Sequence, residues 1–190
     1  DWSSDVCSSD LSIIDNNTRL LLKLVNDVLE LSRIESGNMS FHCEDCSAHH
    51  FAETVYQTHQ VIILPPVEFI KEFPDEDVTI HIDRMRLTQV ITNFLGNAKK
   101  FTSQGHIKLG YFCDKEKKEI HIFVEDTGAG IPKEELQMIF ERFYKRNEFV
   151  QGVGLGLAIS KVIVEKMNGH IDVQSEVNKG SRFTAVLPYL

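Results

Sequence analysis

The chain has 190 residues, 42% of them apolar and 25% charged, with a formal net charge of −8. That composition is ordinary for a globular domain with an appendage, and its acidity excludes a general binder of nucleic acid or anionic membrane, which needs a basic surface. It does not exclude an anionic nucleotide, which backbone N–H groups and a few lysines can hold locally.

Residues 1–11 read DWSSDVCSSDL. They match, position for position, the translation of a common short-read sequencing adapter and show no helical or strand period. They are expected to be foreign to the native protein; the other reading is a disordered native tail. Residues 12–36 carry a helical pattern, with Ile14, Asn17, Leu21, Leu24, Val28 and Leu31 at heptad spacing and Ile13, Leu20, Val25 and Ile34 widening the stripe. Such a stripe suits a helix bundle, so a preceding helix, a second subunit, or both are expected to cover it. Gly37-Asn38 ends the helix.

The periodicity then predicts a helix over 48–60, strands over 67–73 and 78–82, and a strong helix over 84–100 with Leu87, Val90, Ile91, Phe94, Leu95 and Ala98 on its apolar side. A hairpin follows over 106–113 and 119–125. A short helix starts at Pro132, a longer one runs over about 154–168, and a last hairpin joins 171–175 to 182–187. The sum is an α/β two-layer sandwich: one mixed sheet with helices on one face, preceded by a long bundle helix. No apolar run approaches the ~20 residues that span a bilayer. Neither a leader peptide nor a disulfide framework among Cys7, Cys43, Cys46 and Cys113 is expected from the pattern. A cytoplasmic setting is expected, with any membrane attachment through segments outside this sequence.

Three constellations can carry chemistry. Asn93, Asn97 and Lys100 share one stripe of the 84–100 helix. Two carboxamide oxygens on adjacent turns can ligate Mg²⁺, and Lys100 offers a point charge to phosphate; the plain alternative is a solvated helix face. Asp126-Thr127-Gly128-Ala129-Gly130-Ile131 leaves a strand, so its carboxylate can accept hydrogen bonds from an amine while the glycines bring backbone close to a flat ring. The alternative is an ordinary turn. Gly152-Val153-Gly154-Leu155-Gly156-Leu157 opens an apolar helix whose N–H groups can bind phosphate. It is neither the dinucleotide spacing nor a P-loop, and a mobile hinge is its alternative.

Together and in this order, these segments resemble sensor histidine kinases, members of the GHKL ATPase group. NFLGNAKKFT resembles the family's N box, DTGAGI and GVGLGLAIS its two glycine boxes, FERF its F box and KGSRFTAVLP its closing segment. LVNDVLELSRIESG resembles the second helix of the dimerisation and phosphotransfer domain. The resemblance implies residues 12–40 as that partial bundle and 41–190 as the ATP-binding catalytic domain, with ATP and Mg²⁺ as cofactors. It implies Asp126 as acceptor of the adenine amino group, with Gly128, Gly130 and Ile131 beside it and Ser181 assisting. Asn93 and Asn97 would hold Mg²⁺ and phosphates with Lys100, and Gln151 is a further Mg²⁺ candidate. Gly152, Val153, Gly154, Leu155, Gly156 and Leu157 would shape the lid. Tyr144, Lys145 and Arg146 would reach the nucleotide from the lid base, and Phe140 and Phe143 would position the lid by packing.

The resemblance further implies a homodimer through the bundle, a response regulator receiver domain as partner, no nucleic acid, and transfer of the ATP γ-phosphoryl to a histidine. None of the eight histidines stands in the family's phosphoacceptor motif, so the chain is expected to bind ATP without phosphorylating itself. In the hydrolytic relatives a glutamate takes the place of Asn93 and acts as general base; an amide cannot accept a proton at neutral pH. The alternatives are a non-catalytic ATP-sensing module and a hydrolytic GHKL ATPase. Finally, His42, Cys43, Cys46, His49 and His50 include a CxxC that can be read as a zinc site or as a strand leading into a helix capped by Ser47.

Overall fold

The structure is a computed structural model and describes residues 2–145 and 153–189. Helix α1 (Trp2–Glu35) is followed by β1 (Glu44–Ser47), α2 (Ala48–Gln60), β2 (Val67–Glu72), β3 (Thr79–Ile82) and α3 (Arg84–Phe101). Then come β4 (Gly105–Asp114), β5 (Glu119–Asp126), two single 3₁₀ turns (Lys133–Glu135 and Met138–Phe140), α4 (Gly156–Lys166), β6 (His170–Glu176) and β7 (Gly180–Pro188). The expected two-layer sandwich is present. Among the described residues no helix is long and apolar enough to cross a membrane.

The main sheet has the order β2-β4-β5-β7-β6. Strands β2 and β4 are parallel and the other neighbours antiparallel, which makes the sheet mixed. One expectation is corrected. The strand near residues 78–82 does not join this sheet: β3 pairs with β1 in a separate antiparallel ladder, Glu44 opposite Ile82 and Ser47 opposite Thr79. Ile80 and Ile82 are buried, so the ladder turns its apolar side to the same core. A second difference lies at the start, where α1 runs through residues 2–11, which carry no helical pattern. Once a helix is nucleated, each further residue adds a hydrogen bond at little cost, so extension outruns the apolar stripe.

The core lies between the helices and one sheet face. Leu87, Val90, Ile91, Phe94 and Leu95 of α3 are at most 1% exposed. They meet Ile107 and Leu109 of β4, Ile120, Ile122 and Val124 of β5, and Ala185 and Leu187 of β7. Each fully buried large aliphatic side chain contributes roughly 1.5–3 kcal/mol of transfer free energy, so α3 is anchored along its whole length and its opposite stripe is held in a fixed direction. Ser47 caps α2 as expected, its Oγ accepting the His50 N–H at 2.9 Å. Cys43 precedes β1 and is exposed, whereas Cys46 packs on the core. Side chains alternate along a strand, so residues three apart point to opposite sides. No metal-ligating group of three is present among the described residues.

Candidate nucleotide site

One face of α3, the turn after β5 and the start of α4 enclose a cavity of about 950 Å³. At its inner end stands Asp126, the last residue of central strand β5 and only 7% exposed. Its Oδ1 accepts the Gly128 N–H at 2.8 Å and lies 3.5 Å from the Thr102 hydroxyl. Burial pushes the carboxyl above the ordinary carboxylate range, against the hydrogen bonds from Gly128, Ser181 and Thr102. Ser181 sits directly opposite Asp126 on β7. Its Oγ lies 2.9 Å from Ser175 Oγ, which accepts the Ile131 N–H at 2.7 Å and donates to Gly180 O at 2.9 Å. With the Ser175 proton engaged on Gly180, Ser181 donates to Ser175 and keeps its lone pairs for the cavity.

The Asp126–Ile131 turn is clamped from both sides. Ala129 N–H donates to Phe101 O at 3.2 Å, and Asn178 N–H donates to Ala129 O at 2.9 Å. Gly130 adopts φ +66°, and a Cβ there would fall 2.0 Å from Glu176 O. Only glycine meets both conditions. Gly128 does not line the cavity; its N–H orients the Asp126 carboxylate instead.

At the other end, Asn93, Asn97 and Lys100 line the wall contributed by α3. Asn93 Nδ2 donates to Ser160 Oγ of α4 at 3.1 Å, which directs the amide oxygen elsewhere. A Cβ on Gly156 would approach Asn93 Oδ1 to 2.3 Å, so the absent side chain is what lets α4 begin against this amide. The first residue of α4 has no side-chain cap behind it, and unpaired N–H groups at a helix start favour an anion. Burial lowers the Lys100 pKa, and the charges of Lys145 and Lys23 lower it further. This donor set fits Mg²⁺: Asn93 and Asn97 offer neutral oxygens to a hard ion that keeps phosphate and water in its shell.

Tyr144, Lys145, Val153, Gly154, Leu155 and Leu157 line the cavity, as do Gly130, Ile131, Gly156 and Ser181. Phe143 N–H donates to Gly154 O at 2.9 Å, joining described residues on either side of 146–152. Phe140 is half-buried with Lys161 Nζ 5.8 Å above its ring. Phe143 is 58% exposed and adopts φ +63°, so its side chain does not pack as expected. Arg146, Gln151 and Gly152, and with them most of the expected lid, lie outside the described residues. Thr102 and Ser160 were not singled out from sequence; each is identified only by a partner far along the chain.

The fold and the two ends of this cavity define a nucleotide-binding α/β sandwich in which a buried carboxylate faces an asparagine-lysine helix and a glycine-rich helix start. Residues 82–190 match the family described as histidine kinase-, DNA gyrase B-, and HSP90-like ATPase, and the chain belongs to that family. It is 34% identical over 194 residues to the sensor histidine kinase WalK of Bacillus subtilis (strain 168), covering 99% of this chain and 32% of WalK. It is 36% identical over 184 residues to the sensor histidine kinase RcsC of Salmonella typhimurium, covering 94% of this chain and 19% of RcsC. Among solved structures, full-length ShkA in complex with AMPPNP superposes with a TM-score of 0.85 at 28% identity, over 96% of this chain and 38% of ShkA. The catalytic domain of histidine kinase ThkA gives 0.69 at 28% identity, over 80% of this chain and 97% of that domain. The chain is thus a catalytic domain of the sensor histidine kinase type, and it spans less than a third of the length of WalK and RcsC.

Proposed function

We propose that this chain binds Mg²⁺-ATP and presents its γ-phosphoryl group to a protein histidine, for onward transfer to an aspartate of a response regulator receiver domain. The observation that carries the reading is the polarity of the cavity. A buried carboxylate backed by strand β5 sits at one end, and Asn93, Asn97, Lys100 and an uncapped helix start sit at the other. Asp126 accepts the adenine amino group. Lys100 and the α4 N–H groups hold the phosphates, and Asn93 and Asn97 hold Mg²⁺, whose charge offsets that of the triphosphate. The imidazole nitrogen of the acceptor attacks the γ-phosphorus, the bond to the β,γ-bridging oxygen breaks, ADP leaves and the ring proton passes to solvent. Catalysis is positioning and charge stabilisation. By the family resemblance, Gln151 is a further Mg²⁺ ligand, Arg146 reaches the nucleotide and Gly152 shapes the lid.

Asn93 favours transfer over hydrolysis, because an amide cannot deprotonate water at neutral pH. Nothing in the site favours a non-catalytic ATP sensor. The acceptor histidine lies on a bundle helix that pairs with α1 in a homodimer.

The reading is tested by calorimetric titration of the chain with Mg²⁺-ATP. Asp126→Asn removes a charge-assisted hydrogen bond of about 1.5–3 kcal/mol, so ATP affinity falls by at least tenfold while the far-ultraviolet circular dichroism stays that of the parent. Unchanged affinity refutes the assignment. Steady release of phosphate by the chain alone would favour the hydrolytic alternative.

A further inference from the structure

The cavity continues beyond the residues assigned to the nucleotide. Past Asn97 and Lys100 its wall passes to α1, where Lys23 and Asp27 line it. Helix α1 is fixed in this position by its C-terminal half. Glu30 pairs with Arg86 and Gln89 of α3, Glu35 pairs with Arg142 beside the lid base, and Leu31 and Ile34 pack on the core. Positions 23, 27, 30 and 34 fall on one face of a helix. The contacts that dock α1 therefore aim Lys23 at the cavity.

Three ammonium groups from three parts of the chain line this cavity, Lys100 from α3, Lys145 after Tyr144 and Lys23 from α1, with the Asp27 carboxylate beside Lys23. Lys145 and Lys23 both add their repulsion to the burial that already disfavours the charged form of Lys100. One carboxylate does not balance three ammonium groups on one cavity wall, and a further anion among them relieves the repulsion. The terminal phosphate of a nucleotide supplies that anion, and its other end is fixed at Asp126.

We propose that Lys23 is a phosphate-binding residue contributed by the bundle helix, and that the γ-phosphate of ATP, which ADP lacks, clamps α1 onto the catalytic layers through it. The inference rests on the reading of the cavity as an ATP site. It makes the posture of the bundle helix depend on which nucleotide is bound.

The test uses the full chain with Mg²⁺ and compares AMPPNP with ADP for the parent, Lys23→Gln and Lys23→Arg. Lys23 is solvent-exposed, so neither change disturbs the core. Lys23→Gln is expected to weaken AMPPNP binding about five- to tenfold, the size of a partly exposed charge-assisted contact. ADP affinity should stay within about twofold, and Lys23→Arg should restore AMPPNP binding. In the parent, AMPPNP but not ADP slows amide hydrogen exchange over residues 20–30, and Lys23→Gln abolishes the difference. Unchanged AMPPNP affinity in Lys23→Gln, or equal losses for both nucleotides, overturns the proposal. A parent chain that binds neither nucleotide overturns the ATP-site reading itself, and this inference with it.

Discussion

Asp126, proposed as the acceptor of the adenine amino group, shows how a residue placed for binding can cost stability. Its folded carboxyl holds a proton to higher pH than its unfolded counterpart, because burial disfavours the charge. Between the ordinary value of 3.8 and the raised one, the folded state binds more protons than the unfolded state. Unfolding free energy therefore falls as pH rises through that window and levels off above it. Asn at this position keeps an acceptor for the Gly128 N–H and carries no charge. Urea unfolding of the nucleotide-free chain from pH 4 to pH 8 should show Asp126→Asn gaining stability relative to the parent as pH rises. A difference that is flat, or that grows toward acid, would contradict this. That Asn93, Asn97, Lys100 and Asp126 point to one side was legible in the sequence, since helix and strand periods fix their directions, and all four line the cavity. Their supports were not: Ser160 reaches Asn93 across 67 positions and Thr102 reaches Asp126 across 24, and no local pattern encodes such pairings.

Helices α2 and α3 and strands β4 and β5 were readable to within a residue or two, because each buries one apolar face at its own period. Strand pairing was not. The alternating pattern of Thr79–Ile82 is equally compatible with the main sheet and with the β1 ladder, and only the position of Asp77 shows which forms. Its carboxylate accepts from Ser47 Oγ at 2.5 Å and from His49 N–H at 3.0 Å, tying the entry of β3 to the start of α2. Burial raises the Asp77 pKa, but the hydrogen bonds from Ser47, His49 and Val78 more than offset it, so the net shift is downward. Ser47 thus serves as cap and as donor to Asp77. Ser47→Ala should cost about 1–2 kcal/mol in urea unfolding, and Ser47→Thr, which keeps the hydroxyl, about 0.5 kcal/mol or less. Equal losses would show that the hydroxyl is not what matters.

At the scale of the whole molecule, α1 has two faces with different fates. The face of Lys23, Asp27, Glu30, Leu31 and Ile34 turns to the catalytic layers. Leu21, Val25 and Val28 lie on a different face and remain 61%, 44% and 42% exposed, and Leu24, at the edge between the two faces, is 37% exposed. The sequence showed a single wide stripe; the division arises because ion pairs from Glu30 and Glu35 to residues far along the chain choose which edge docks. An exposed stripe at i, i+3, i+4 and i+7 is the seam of a helix bundle, and contiguous apolar surface of this kind is seldom left in water. A second copy of α1 can cover it without disturbing the cavity, since Val28 is absent from the cavity wall. Sedimentation velocity should therefore show the chain self-associating. Val28→Glu should weaken that association at least tenfold, about 1.4 kcal/mol, through the cost of burying an unpaired carboxylate, while ATP affinity stays that of the parent. If Val28→Glu lowers ATP affinity as well, association and nucleotide binding share a surface, and the two faces of α1 are not independent.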